Sequence, residues 1–228
     1  MSVSELFRIA FIEKDRWKLY LQGLGITIEV SIFAAIIGLI LGTIAALMKL
    51  QTNRDGKTTI LGRIADIYID IIRGTPSVLQ LMIMWFIIMS NCKNGILVAS
   101  LSFGINSGAY VAEIIRAGIL AVDSGQMEAG RSLGLSKFQT MQYIVLPQAF
   151  KNALPPLCNE FITLLKETAI VGYVGMSDLT RVANQISSAT YQAFMPLIGA
   201  AVIYLVVVKL LTILFGNLER RMRQGDNR

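Results

Sequence analysis

The chain has 228 residues, of which 16% are charged and 54% apolar, where an ordinary soluble domain carries about 25% charged residues. Its net charge is +6, it has no histidine, and its two cysteines have neither metal-ligand nor disulfide-framework spacing. This balance argues against a disordered chain, a collagen-like chain and a nucleic-acid arm. The missing histidine weighs against a metalloprotease, a haem protein or a serine–histidine hydrolase.

Residues 2–20 lack the basic region, apolar run and small-residue site of a cleavable signal peptide. Leu6, Phe7, Ile9, Ala10 and Phe11 alternate with Glu5 and Arg8, and Trp17 and Tyr20 follow. The pattern predicts a short amphipathic helix lying at a membrane surface. Beyond it, Val30–Met48, Gly74–Cys92 and Asn94–Ala112 each hold 19 residues without a charge, and Val182–Val208 holds 27. A bilayer crossing needs roughly 20 apolar helical residues. The chain therefore reads as an all-α, polytopic membrane protein.

The first span covers about 21–48, with Gly38 and Gly42 at the spacing that lets helices approach closely. The 49–63 stretch, with Lys49, Arg54, Lys57 and Arg63 against Asp55, reads as a cytoplasmic loop, because basic loops stay inside. Residues 58–90 exceed one crossing. Arg63, Asp66, Asp70 and Arg73 fall on one helical face and are expected to neutralise one another. Pro76 breaks or kinks that helix. A turn at 91–95 precedes a third span, about 96–121, in which Glu113 and Arg116 form a local pair. The amphipathic stretch 122–147 follows. A fourth, more polar span runs from about 151 to 172, residues 173–190 are too polar to cross, and a fifth span covers 191–216. The expected topology is five crossings with the N-terminus outside and the C-terminus cytoplasmic. Residues 1–20 form the interfacial segment, 21–218 the membrane domain with its 122–147 loop, and 219–228 a basic tail.

Residues 128–147 read EAGRSLGLSKFQTMQYIVLP. This resembles the EAA loop of the membrane subunits of bacterial ABC importers. Glu128, Ala129, Gly134, Ile144, Leu146 and Pro147 fall in register, and Gly130 replaces the third alanine with another small residue. Arg73-Gly74-Thr75-Pro76, Ala109–Gly118, Gly125-Gln126 and Lys166-Glu167-Thr168 are similar to the polar amino acid branch of that family, although Ala169-Ile170 stands where that branch usually has Ser-Leu. The resemblance covers about residues 20–215. It implies the fold of a type I importer, in which the 122–147 loop is the cytoplasmic coupling element. It also implies a permease subunit in a bacterial inner or plasma membrane. The partners would be two copies of an ABC ATPase, a second permease chain read as identical, an extracytoplasmic amino acid-binding protein and membrane lipid; nucleic acid is not among them. The chain has no Gly-x-x-x-x-Gly-Lys-Ser/Thr loop. It is therefore read as non-catalytic and without a cofactor or metal of its own, with ATP and Mg belonging to the partner ATPase.

Within 128–140 a short amphipathic helix is expected to present Leu133, Leu135 and Phe138 to the ATPase. Glu128 is placed where a helix N-terminus favours an anion, Arg131 and Lys137 are placed for interfacial ion pairs, and Gly134 allows close packing or a turn. Glu128, Ala129, Gly130, Arg131, Gly134, Lys137 and Phe138 are the coupling candidates. An ionisable residue inside a membrane costs roughly 2.5–3.5 kcal/mol and marks a candidate site. Glu160 lies well inside the fourth span. In sequence its nearest cation is Lys166, on another face, and Pro155 and Pro156 free backbone carbonyls nearby. A carboxylate there suits a guanidinium, ammonium or imidazolium group, which favours arginine, lysine or histidine as substrate. Asn159, Thr163, Asn106, Ser107 and Tyr110 are placed to serve the rest of the amino acid. Residues 172–180 read equally as an outer gate or a plain connection. The rival readings are a carrier for a neutral or acidic amino acid such as glutamine or glutamate, an ATP-independent channel or carrier, and a membrane scaffold.

Overall fold

A computed structural model describes residues 2–51 and 58–223. Arg54, Asp55 and Lys57 of the basic loop, and Asp226 and Arg228 of the tail, lie outside the described residues. Among the described residues the chain is helical, with α1 Val3–Phe7, α2 Arg16–Leu50, α3 Ile60–Arg73, α4 Ser77–Ile83 and α5 Gly95–Leu120. Then come α6 Ser124–Ser132, α7 Lys137–Thr140, α8 Leu146–Glu167, α9 Leu179–Thr190 and α10 Phe194–Arg223. The contacts divide into two compact units. One comprises Met1–Ile36, Pro76–Gly104 and Ile162–Thr212, and the other Ile37–Thr75, Ile105–Phe161 and Ile213–Arg228.

Three stretches are long and apolar enough to cross a bilayer: Val3–Leu50, Gly95–Leu120 and Phe194–Met222. The broken pair Ile60–Arg73 and Ser77–Ile88 adds a fourth. The break falls at Gly74-Thr75-Pro76, as the proline predicts. α8 has 22 residues and is long enough, but Pro155, Pro156, Glu160, Lys166 and Glu167 make it less apolar than the others. The fifth crossing therefore stands on the resemblance rather than on composition.

In the first unit, α2 buries Tyr20, Gly23, Thr27, Val30, Ser31 and Ala34, a stripe at the three- and four-residue spacing of one helical face. Tyr20 stacks on Phe11 with 5.0 Å between ring centroids. Around that pair Leu179, Val182, Ala183 and Ile186 of α9 and Ala200 of α10 form one core. A second core gathers Val30 and Ala34 with Leu81, Phe103, Leu164 and Val171. The N-terminal segment is shorter than expected. Lys14 and Asp15 adopt φ of 56° and 54°, a left-handed pair that ends the first helical stretch and restarts the chain as α2. Trp17 and Tyr20 thus belong to the long helix, and Arg16 donates to the Ile9 carbonyl across the turn.

Residues 172–180 are not a plain connection. Thr168–Val174 form a tight helical turn ended by Gly175 at φ +87°. Asp178, fully buried, then caps α9 by accepting from the N–H groups of Thr180 at 2.9 Å and Arg181 at 3.1 Å. Burial pushes the Asp178 carboxyl above the usual carboxylate range, and these N–H groups pull it back.

The second unit is packed with small residues: Ala45, Ala46, Ala65, Ala109 and Ala112 surround Ile69. The Gly38–Gly42 spacing does what its pattern predicts. A Cβ at Gly42 would stand 2.6 Å from Val111, and one at Gly108 would stand 3.1 Å from Leu41. α2 and α5 come close there because the Val111 side chain packs directly on the Gly42 backbone. α10 runs on to Arg223, so residues 219–223 continue that helix instead of opening a separate tail.

Candidate functional site: a charged cleft and a helical hairpin

The second unit contains a cleft of about 490 Å³. α8 gives it Asn152, Pro156 and Glu160, spaced four apart on one face; α5 gives it Tyr110, Glu113 and Ala117, with Ala121 just past its end; and Arg73 closes the C-terminal end of α3. The two prolines sit inside a continuous α8. Each lacks the N–H that would bond the carbonyl four residues back, which frees the backbone carbonyls of Lys151 and Asn152.

Three carboxylate or guanidinium groups share this wall. Glu160 accepts a hydrogen bond from the Ser107 hydroxyl at 2.8 Å, linking α8 to α5. Glu113 is bound by Lys49 of α2 at 2.7 Å and by Arg116 at 3.2 Å. Lys49 also holds Asp66 of α3 at 2.9 Å. The local Glu113–Arg116 pair is as expected. The mutual neutralisation of Arg63, Asp66, Asp70 and Arg73 is not: among the described residues no ion pair joins them. Asp66 turns to Lys49, and the Arg73 guanidinium lies over the Tyr110 ring, 5.3 Å from its centroid. Helical spacing proposes partners on one helix, but here a cation from another helix is nearer.

Of the predicted substrate residues, Glu160 and Tyr110 line the cleft and Ser107 bonds to Glu160. Asn106 is buried and outside the lining. Asn159 and Thr163 are exposed and do not line it. Arg73 and Asn152 were missed as lining residues. For Arg73 the signal was its place directly before the Gly-Thr-Pro break. Among the described residues no group of His, Cys, Asp and Glu is placed to hold a metal ion.

The 122–147 stretch corrects the expected single helix. It folds as α6, a tight turn, and α7, which runs on through a wider helical turn at Met141–Val145 into α8. The Leu135 N–H bonds the Gly130 carbonyl at 3.1 Å, and the Gly134 N–H bonds the Arg131 carbonyl at 3.0 Å. That pair of bonds closes a helix C-terminus through a left-handed residue, and Gly134 supplies it at φ +85°. Ser136 opens α7 with a capping box to Gln139. Gly130 is buried, and a Cβ there would lie 2.5 Å from Thr140, so the two helices pack at that point. Glu128 lies in the body of α6, and the N-cap is Asp123, which accepts from the Gly125 N–H at 2.7 Å. Glu128, Ala129, Arg131 and Lys137 are exposed, and Leu133 and Phe138 are 83% and 75% exposed. Two large apolar side chains stand bare among charges on a rigid turn.

Residues 38–224 match the family described as binding-protein-dependent transport system inner membrane component. The chain is 44% identical over 209 residues to the arginine transport system permease protein ArtQ of Bacillus subtilis, covering 90% of this chain and 93% of that protein. It is 34% identical over 209 residues to the glutamine transport system permease protein GlnP of Escherichia coli K12, covering 90% and 93%. A crystal structure of an amino acid ABC transporter with histidines is similar at TM-score 0.81 and 43% identity, covering 90% of this chain and 94% of that one. The methionine ABC transporter MetNI in an inward-facing form has TM-score 0.80 at 19% identity, covering 92% and 99%, a likeness of fold alone.

Proposed function

This chain belongs to the family of binding-protein-dependent transport system inner membrane components and is a permease of an amino acid ABC importer; from that premise we propose that it carries a cationic amino acid, namely arginine, lysine or histidine, and recognises it in the membrane. The observation that carries this reading is Glu160 on the cleft wall, oriented by the Ser107 hydroxyl. A carboxylate on a cleft wall can bind a guanidinium, ammonium or imidazolium group. Glu113, in the same cleft, already has two cations. The relative named for arginine and the structure with histidines support the same class.

Two permease chains of this kind, read as identical, form the pathway. Two ABC ATPases supply ATP and Mg chemistry from beneath, and an extracytoplasmic binding protein delivers the substrate. The N-terminus lies outside and the C-terminus in the cytoplasm, which puts the α6–α7 hairpin on the ATPase side. In this reading Leu133 and Phe138 fill an apolar groove of the ATPase, while Glu128, Arg131 and Lys137 fix its register. Residues 172–180 act as the outer gate. The chain itself performs no catalysis.

The test is binding of labelled arginine to the purified permease–ATPase complex without binding protein, with histidine, glutamine and glutamate as competitors. Competition by histidine alone, lost in Glu160→Gln, is expected. Competition by glutamine instead would favour the second reading, an importer for a neutral amino acid, which the GlnP relatives support. ATP-independent uptake would overturn the importer mechanism.

A further inference from the structure

We propose that Arg73 receives the α-carboxylate of the transported amino acid, an assignment that rests on the cleft being the substrate site. α3 ends at Arg73 because Pro76 keeps the residue before it out of helical geometry, and the Gly74 N–H closes the last turn on the Asp70 carbonyl at 2.9 Å. A cation suits a helix C-terminus. That explains the sign of the charge and says nothing of its direction.

The direction is set by Tyr110, over whose ring the guanidinium sits at 5.3 Å. Among the described residues no carboxylate forms an ion pair with Arg73. Stacking uses the flat face of a guanidinium and leaves its in-plane N–H donors for a planar acceptor. A carboxylate matches that fork with two parallel hydrogen bonds.

Arg73 and Glu160 both rest on one stretch of α5. Ser107, which holds Glu160, and Tyr110, which carries Arg73, are three residues apart on α5, about 4.5 Å of helical rise. An anion-accepting fork and a cation-accepting carboxylate thus line one cleft. Glu113 is compensated by Lys49 and Arg116. The wall thus turns a guanidinium, Arg73, and a second carboxylate, Glu160, to the same cleft. A substrate with a carboxylate at one end and a cation at the other is bound in one orientation, with its side chain toward Glu160.

Agmatine, which is arginine without its carboxylate, reads this contact directly. In the binding-protein-free complex, agmatine is expected to compete with labelled arginine about tenfold or more weakly than arginine itself. Arg73→Gln should weaken arginine binding by a similar factor, leave agmatine where it was, and bring the two ligands together. Arg73→Lys keeps the charge without the fork, should restore part of the difference, and carries the test if the Gln variant does not assemble. A merely structural role for Arg73 would weaken both ligands equally. An unchanged arginine-to-agmatine ratio in the variants, with arginine binding intact in the parent, overturns the assignment of Arg73 and leaves the Glu160 site standing. Absence of arginine binding in the parent complex overturns both.

Discussion

The cleft and the hairpin belong to the same unit and are built in opposite ways. In the cleft, side chains hold side chains: Ser107 on Glu160, Lys49 on Glu113 and Asp66, Tyr110 under Arg73. In the hairpin, the backbone sets the shape through Gly134 and the Ser136 cap, and the large apolar side chains Leu133 and Phe138 touch solvent. The first arrangement gathers partly buried charges, and Lys49, Glu113 and Asp66 answer one another directly. The second presents a fixed surface that something else must complete. Mutations in the two regions should therefore fail differently.

The largest effect is expected from Gly134→Asp, which forces a charged side chain into a left-handed position on the hairpin. Uptake should be abolished while arginine binding in the cleft persists; loss of both would show that the two regions are not separable. Gly134→Asn, which shares the left-handed tolerance of Asp but carries no charge, should keep part of the uptake. Next comes Glu160→Gln, expected to weaken arginine binding about tenfold or more while the complex still forms with its ATPase. A pull-down beside the binding assay reads both. Lys49→Met leaves Glu113 and Asp66 without their shared cation. Breaking a fully buried pair costs about 3–5 kcal/mol. With side chains about 22–23% exposed, the cost should be below that and visible as a lower melting temperature in detergent. Smallest is Ser136→Ala, which removes one cap of a short helix at about 1 kcal/mol. Uptake should fall modestly with arginine affinity unchanged, and an equal fall in affinity would blur the contrast.

Much of the fold was legible because lipid is a strict solvent. Uncharged runs mark α2, α5 and α10, and Pro76 marks the α3–α4 break. Glu160 and the EAA register were also legible, since each is a feature of a single segment. The rest depends on tertiary proximity. Lys49 and Glu113 are 64 residues apart, and no helical spacing suggests that pair over the local Arg63–Asp66 alternative. Arg73 was assigned to that local set because its true neighbour, Tyr110, comes from α5. The turn at Lys14–Asp15 was missed because nothing in those side chains announces a positive φ, unlike Gly134, where the residue type does. At Gly134 the sequence leaves close packing and a turn both open, and only the φ of +85° decides for the turn.

The bare Leu133 and Phe138 also bear on how the complex is made. With the hairpin on the cytoplasmic, ATPase-docking side as proposed, a subunit released into the membrane ahead of its ATPase would carry an adhesive apolar tip into the cytoplasm, a surface of the kind that chaperones and proteases bind. Matched synthesis of the two chains then becomes a requirement of quality control. In pulse–chase, an orphan chain should be degraded faster than one made with its ATPase, and Leu133→Ser with Phe138→Ser should slow that loss; equal lifetimes in all three cases would remove the hairpin from any role in turnover.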